Sequence, residues 1–341
     1  MDIKLLSPKS GETVSLYTDA QRIFRSEEER RKDLDPALTF HLYVIGDTGR
    51  ERSHPASVRF SFEDGEEGGT SHYIVLVSEC EDISSPRFAF TNAKEAEIYN
   101  LKAGTRYYWC VQKDGVRSDV SCFDTAWDLP RCLFVEGVSN VRDIGGYETE
   151  AGRIRQGLMY RGSEFEIHSQ PTERGVASLC TLGIRTDLDL RAEALEKVLF
   201  PTSALFGMHR VLLPAVSYKS VFDKKHRKNT RRFFALLAQK KNYPIYAHCW
   251  GGADRTGTFC FLLGAFLGMR KEDLIYEYEF TSLSYWGTRT RNHPPFIEFL
   301  QTFEALEGET YAEKAAFFLH NMLGLSEKQT KSIREIFIEK A

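Results

Sequence analysis

Pro244-Ile245-Tyr246-Ala247-His248-Cys249-Trp250-Gly251-Gly252-Ala253-Asp254-Arg255-Thr256-Gly257, followed by the apolar run Thr258 to Met269, decides the fold of this chain. A short apolar segment ends in a cysteine, five residues with two glycines follow, and an arginine opens a helix-length stretch rich in Phe and Leu. The order is strand, loop, helix. Gly251 and Gly252 let the backbone curl so that successive N–H groups point inward, and a helix starting near Arg255 adds its positive end. Such a loop is an anion cradle. Arg255 brings a planar fork that matches two oxygens of a phosphate. A thiol at Cys249, beside a helix N-terminus and a cation, is expected to serve as a nucleophile. The competing account makes Cys249 a small buried hydrophobe at a strand end and Arg255 an ordinary helix-start residue. The register of His, Cys, Gly, Arg, Thr and Gly between strand and helix favours chemistry.

Outward from that loop, 341 residues suit two domains, each able to bury a core. Apolar content of 42% and charged content of 27% are those of a globular protein. A net charge of −3 gives no general attraction to nucleic acid or acidic membranes, so no nucleic-acid partner is expected. The N-terminus has no apolar leader, and the run after Cys249 is too short and too glycine-punctuated to span a bilayer, so a cytoplasmic protein without a transmembrane segment is expected. A chain that has lost a signal peptide would look the same. Seven cysteines, odd in number and without paired metal-ligand spacing, suggest neither a disulfide framework nor a metal site. No cofactor is implied.

Cys249, five residues, Arg255 and Thr256 resemble the signature of the cysteine-dependent protein tyrosine phosphatase superfamily. Within it, His248 to Gly257 looks like the bacterial and fungal branch whose loop reads HCxxGKDRTG, departing from it where Ala253 replaces the lysine. The stretches Val138 to Tyr147, containing Asn140-Val141-Arg142-Asp143, and Gly157 to Glu164, containing Tyr160-Arg161, resemble the opening of the same branch, and the likeness covers nearly all of residues 132–341. The resemblance implies an α/β phosphatase fold with a central, mostly parallel sheet flanked by helices. It also implies hydrolysis of a phosphomonoester through a phosphocysteine, with Cys249 as nucleophile, Arg255 on the phosphate and Thr256 assisting the thiolate. The loop residues Trp250, Gly251, Gly252, Ala253, Asp254 and Arg255 would bind substrate. Many members carry a Trp-Pro-Asp acid after an earlier strand; here Leu213-Pro214-Ala215 has alanine in that place. The proton donor must lie elsewhere, and Asp254 is nearest the chemistry, with Asp223 and Asp189 as alternatives. Asp189 and Arg191, at the polar end of a strand over Ile184–Arg191, are expected beside the loop with His248, or else as a simple ion pair. Asn140 and Arg142 either touch the site or belong to a polar turn.

Elements expected in this half are helices over Pro171–Leu182, Asn229–Gln239 and Lys271–Phe280, a loop over Tyr285–Pro295 and two further helices, the last with a Ser326–Gln329 capping box. The basic stretch from Lys219 to Arg232 is either a solvated face or a surface for a polyanion. Trp250, Tyr218, Tyr285 and Trp286 could wall a cleft for an aromatic ring. The loss of the loop lysine at Ala253 leans towards phosphotyrosine or a broad range of aryl and protein phosphomonoesters, dual specificity included, with phosphoinositides or inositol phosphates as the alternative. A non-hydrolysing phospho-ligand adaptor is the reading from another class.

Residues 1–127 form the other expected domain, a β-sandwich, with Ala126-Trp127-Asp128-Leu129-Pro130 as linker into a domain over 128–341. Short β-rich runs lie at Thr39–Ile45, Val58–Phe62, His72–Ser78, Ala96–Tyr99, Arg106–Gln112 and Ser118–Phe123, with turn signals at Asp64-Gly65 and Asp114-Gly115. Leu101, six residues before Tyr107, with Trp109 and Val111 alternating after it, resembles the late strand of fibronectin type III modules. The segment Gln21–Asp35, with its charged run Arg25–Lys32, is expected as a helix or loop inserted into the sandwich.

Overall fold

The structure, a computed structural model, describes residues 3–26, 50–65, 71–192 and 207–340. The chain divides into two compact units, Met1–Thr18 with Pro55–Arg131, and Asp19–His54 with Cys132–Ala341. The boundary falls at 131–132 in place of the expected 127–128. The larger difference concerns Asp19–His54, expected inside the N-terminal domain and found with the C-terminal unit. The physical reason is apolar: Phe24, on the helix Asp19–Arg25, packs its ring on Tyr276 (5.8 Å) and Phe280 (5.6 Å). The expected strand at Thr39–Ile45 and most of the charged run lie outside the described residues.

In the first unit, one sheet holds Ile3–Ser7, Val58–Asp64 and Glu95–Ile98, and the other holds Glu12–Val14, Ser121–Thr125, Arg106–Lys113, Tyr73–Ser78 and Arg87–Thr91 in that order. The pairs are antiparallel except Glu12–Val14 on Ser121–Thr125, which is parallel. Tyr107, Trp109 and Val111 share one buried face by period-two alternation, and Phe60 of the other sheet meets Trp109 at 5.0 Å and Phe123 at 5.7 Å. Asp114 and Gly115, at φ 48° and 80°, make the tight turn between Arg106–Lys113 and Val116–Arg117.

The second unit is built on the strands Arg142–Asp143, Met159–Gly162, Ile245–His248, Thr186–Asp189 and His209–Leu212, neighbours in that order. The last four strands run parallel, with Ile245–His248 in the middle, and all four of its residues are buried. A central parallel strand is covered on both faces and reads as a continuous apolar run, which is why it stands out in the sequence. For the same reason Thr186–Asp189, the part of the expected strand Ile184–Arg191 that pairs, is buried at every position. Glu173–Leu182 starts at the Thr172 cap and ends at Gly183, φ 64°. Asp254–Leu267 is buried almost all round and follows the central strand. After Lys271–Glu279 come three helices, not the expected two: Pro294–Glu304, Tyr311–Phe317 and Glu327–Phe337. Ser326 and Gln329 make the expected capping box, and Thr310 with Glu313 makes another. Among the described residues no helix is long and apolar enough to cross a membrane.

Candidate active site

Register aligns Gly162, His248, Asp189 and Leu212 in one row across the parallel strands. The segments that leave these four strand ends therefore emerge on one edge of the sheet, the edge where open α/β folds place their ligands. Cys249 comes next on the central strand and is 4% exposed. The helix Asp254–Leu267 begins five residues later. Between them the carbonyls are held from behind. Trp250 O accepts the Glu164 N–H (3.1 Å), Gly251 O the Asn140 side-chain amide (2.8 Å), Gly252 O the Arg161 guanidinium, and Ala253 O the Gly257 N–H (2.9 Å). In a trans peptide the N–H points opposite the C=O, so pinned carbonyls turn the following amides to the other side. Three of those following amides, on Gly251, Gly252 and Ala253, donate to no protein acceptor among the described residues, and neither does that of Trp250. A row of amides on the concave side of a bend, next to a helix N-terminus, is an anion site.

The two glycines are needed for different reasons. A Cβ on Gly251 would stand 2.4 Å from the Trp286 ring, which lies over it. Gly252 has φ 65°, and its Cβ would stand 2.2 Å from the backbone oxygen of Gly162, which has no freedom to move aside. Gly252→Ala is therefore expected to lower any turnover this loop supports by about a hundredfold, since misplacing a reacting group by about 1 Å costs that much. Steady-state kinetics of the folded variant checks it.

Behind the loop sits a buried charge cluster. Glu277 receives Arg142 Nε (2.8 Å) and Arg161 NH1 at both carboxylate oxygens (2.9 and 2.7 Å), and all three side chains are almost fully buried. Burial pushes this carboxyl up, but the two guanidiniums outweigh it and hold it below the ordinary range. Arg142 also donates to the Glu277 carbonyl (2.9 Å), to Thr281 Oγ1 (3.0 Å) and to the Asn140 side-chain oxygen. Asn140 is fully buried at φ 61°, a conformation asparagine tolerates better than most residues. Asn140 thus touches the loop directly, and Arg142 acts through it and through Glu277.

On the other flank His248 Nε2 lies 2.7 Å from Asp187 Oδ1, both buried. Burial works against the imidazolium, yet the Asp187 and Asp189 carboxylates hold its pKa up to about 9. Asp189 and Arg191 do form the alternative ion pair (Nε–Oδ1 2.9 Å, NH2–Oδ2 2.8 Å), and Arg191 also reaches Glu164 (3.1 Å) and Glu166 (2.5 Å). Its guanidinium lies 4.9 Å from the Trp250 ring centre. The Glu164 carboxylate accepts four successive backbone N–H groups, Glu166 to Ser169, at 2.5–3.1 Å. This shapes the bend that brings His168 edge-on to Trp250 (5.0 Å) and Trp286 (5.6 Å). Tyr285 stacks on Trp286 at 5.2 Å.

At the start of the helix, Arg255 NH1 lies 3.5 Å from the Leu190 carbonyl, and Thr256 Oγ1 is fully buried with no protein partner among the described residues. Asp254 is engaged by the Arg289 fork (2.7 and 2.9 Å) and by the Tyr218 hydroxyl, which lies 3.0 Å from Tyr278 Oη. Burial raises the Asp254 carboxyl, and the Arg289 fork, with help from Tyr218, brings it below its ordinary value. Tyr218 itself has φ 55°, a rare conformation for an aromatic residue, fixed by its N–H on Thr258 Oγ1 (2.8 Å) and its hydroxyl on Asp254. Asp223 is exposed and Asp189 is locked to Arg191 and Arg210. Among the described residues no group of three or more His, Cys, Asp or Glu is placed to hold a metal ion.

A family profile described as "Tyrosine phosphatase family" matches residues 133–339, more than half of the chain. The chain belongs to the tyrosine phosphatase family. A candidate tyrosine-protein phosphatase of Cupriavidus necator is 29% identical over 173 residues, 43% of this chain and 61% of that protein, so the chain spans less than two thirds of that relative. Solved structures similar to it include the core catalytic domain of the PP-IP phosphatase SIW14 from S. cerevisiae in complex with citrate, at 16% identity, 54% of this chain, 96% of that one and TM-score 0.32. A candidate phosphatase (DUF442) from Shewanella putrefaciens CN-32 is 12% identical, covering 52% of this chain and 95% of that one at TM-score 0.25. In this tyrosine phosphatase family member Arg161 and Glu164 lie in a stretch the sequence marks without giving them a role, and Glu277 and Arg289 are groups it did not single out. Glu277 leaves a trace, an acid next to Tyr276 and Tyr278 on the buried side of Lys271–Glu279. Arg289 leaves none, because nothing local to its loop says that it returns to Asp254.

Proposed function

We propose that the chain is a phosphomonoester hydrolase working through a phosphocysteine, most suited to phosphotyrosine and other aryl or protein phosphomonoesters. The observation that supports this is the loop from Cys249 to Arg255, with its carbonyls pinned behind and four amides without protein acceptors. The Cys249 thiolate attacks phosphorus; the S–P bond forms, the ester P–O bond breaks, and the leaving oxygen takes a proton from an acid. Water then attacks phosphorus and gives a proton back to the carboxylate of that acid, the S–P bond breaks, and inorganic phosphate leaves with the thiolate restored. Loop amides and the Arg255 fork carry the charge of the equatorial oxygens, and the otherwise partnerless Thr256 hydroxyl steadies the thiolate as it departs. Trp250, Trp286 and Tyr285 form an aromatic wall beside the loop, suited to a phenyl ring. Exposed Lys224, Lys225, Lys228, Arg231 and Arg232, following the Tyr218 segment, favour an anionic inositol head group as the second substrate class. The first unit is proposed to be a fibronectin type III-like accessory domain, supported by the Tyr107 hydroxyl accepting the Lys102 N–H at 2.8 Å.

Asp254 is the proposed acid. In the free protein Arg289 keeps it ionised, so it takes up its proton only as a phosphate dianion enters and raises its pKa by like-charge repulsion. Asp254→Asn is expected to slow hydrolysis of alkyl phosphates about 10²-fold or more and that of nitrophenyl phosphate far less. Equal losses on both would take Asp254 out of the role. Arg289→Met removes the cation that lowers this carboxyl, so the falling limb of the kcat–pH profile for alkyl phosphates is expected to move to higher pH. Vanadate-sensitive turnover of an aryl phosphate separates hydrolase from adaptor, and a panel of phosphotyrosyl peptides against inositol lipids ranks the substrates.

A further inference from the structure

Residues 50–54 belong to the catalytic unit although they lie some eighty residues upstream of it and outside the span 133–339 matched by the family profile. They are held on it by polar contacts that a passing loop does not need. Gln21 is fully buried and donates its side-chain amide to the carbonyls of Arg52 (3.2 Å), Ser53 (3.0 Å) and His54 (2.9 Å). The Arg52 N–H donates to the Leu283 carbonyl (2.8 Å), and His54 Nε2 lies 3.0 Å from the Val138 carbonyl. Ser53, 1% exposed, accepts the backbone N–H of Asn140 at its hydroxyl (3.0 Å). The Glu51 carboxylate accepts the Ser53 N–H (2.8 Å) and both the Ser53 and Ser139 hydroxyls.

Asn140 is the residue whose carboxamide holds the Gly251 carbonyl. Its left-handed backbone has to be fixed for that carboxamide to point at the loop, and the fixing bond on its N–H comes from Ser53. We propose that Glu51 and Ser53 are positioning residues of the phosphate loop, acting through Ser139 and Asn140 from a segment that the family span does not contain. Glu51 orients the Ser53 hydroxyl by taking its proton in a hydrogen bond, which leaves the oxygen lone pairs for Asn140 N–H. A change at residue 53 is therefore felt two hydrogen bonds away, at the loop amide following Gly251. The proposal rests on the phosphatase function for its effect on turnover, but its structural half stands apart from catalysis.

The test uses the full-length protein with Ser53→Ala, Glu51→Gln, Glu51→Asp and Asn140→Gly, singly and with Ser53→Ala and Asn140→Gly combined. Glycine suits φ 61° at position 140, so Asn140→Gly removes the carboxamide without backbone strain. Ser53→Ala and Glu51→Gln are each expected to lower kcat for nitrophenyl phosphate and vanadate affinity about tenfold, the worth of one hydrogen bond to a charged or buried group, with KM changed less. Glu51→Asp is expected to recover part of both. In the Asn140→Gly background Ser53→Ala should have no further effect on kcat, because both cut one chain of contacts. Amide exchange of the peptide 245–257, which needs no turnover, should quicken about tenfold in Ser53→Ala relative to peptides of the first unit. Losses under twofold, unchanged exchange, or effects that add in full in the double variant overturn the proposal. Absent vanadate-sensitive turnover in the wild type with exchange that still quickens would overturn the hydrolase function and keep the brace. Ser53→Ala removes a single oxygen and remains readable if Glu51→Gln is too unstable to purify.

Discussion

Cys249→Ser is expected to abolish turnover of aryl phosphates, a loss on the order of 10⁴-fold or more, while vanadate or phosphate binding stays measurable. The two effects separate because they have different sources. Nucleophilic attack needs an ionised sulfur, and a serine hydroxyl at this position has no general base to activate it: the neighbouring His248 is committed to Asp187 at 2.7 Å. In the proposed scheme anion binding comes from the backbone amides of Gly251, Gly252 and Ala253, whose direction is set by Glu164, Asn140 and Arg161 holding the preceding carbonyls, none of which the substitution touches. Steady-state turnover and calorimetric titration with vanadate on the same variant check it. Retained turnover would remove Cys249 from the nucleophile's place; lost binding with an intact fold would mean the cradle is not the anion site.

Glu277→Gln is expected to be the most damaging conservative change behind the loop. The carboxylate is the counter-ion of two fully buried guanidiniums, Arg142 and Arg161, and neutralising one partner of a buried ion pair costs about 3–5 kcal/mol because the remaining charge is left in a dry site. For a unit of this size that corresponds to a fall in melting temperature of roughly 10 °C. Arg161 would also let go of Gly252, so turnover of the protein that remains folded should drop. The contrast is the exposed pair Arg59–Glu97 at 3.5 Å, where Glu97→Gln is expected to change stability by less than about 1 kcal/mol. The pH dependence has a definite sign. The Glu277 carboxyl is held below its ordinary 4.5, so the stability it contributes is present above that pH and is lost as the pH falls through the folded-state value; the glutamine variant should lack this part of the acid sensitivity. Thermal melts of both variants across the acid range check both statements.

Some of this site is local in the chain and some is not. Cys249, the two glycines and Arg255 lie within seven consecutive residues, and a strand that is buried on both faces, a bend and an apolar helix each leave a signature of composition and period. Asp189 and Arg191 are legible as the polar end of a strand, but composition does not distinguish an ion pair from a loop contact, and the structure shows both, the ion pair and Arg191 over the Trp250 ring. Arg161 and Glu277 are 116 residues apart, and Asp254 and Arg289 are 35 apart. Periodicity carries no information about such partners. The placement of Asp19–His54 is the clearest case. By sequence position it belongs with the strands around it, yet Gln21 ties its two described ends together, and Phe24 on Tyr276 and Phe280 and Ser53 on Asn140 place those ends in the other unit.

What the sequence determined by itself is the chemistry available, a cysteine and an arginine across a glycine bend between a buried strand and a buried helix, since hydrophobic period, turn residues and helix start are nearest-neighbour properties of the chain. What only the tertiary structure decided is the direction of the loop's peptide planes and the protonation state of its acids. Both depend on partners brought in from distant segments, Asn140, Arg161, Glu277 and Arg289, and electrostatic and hydrogen-bond energies are set by separation in space, which a linear order of residues does not contain.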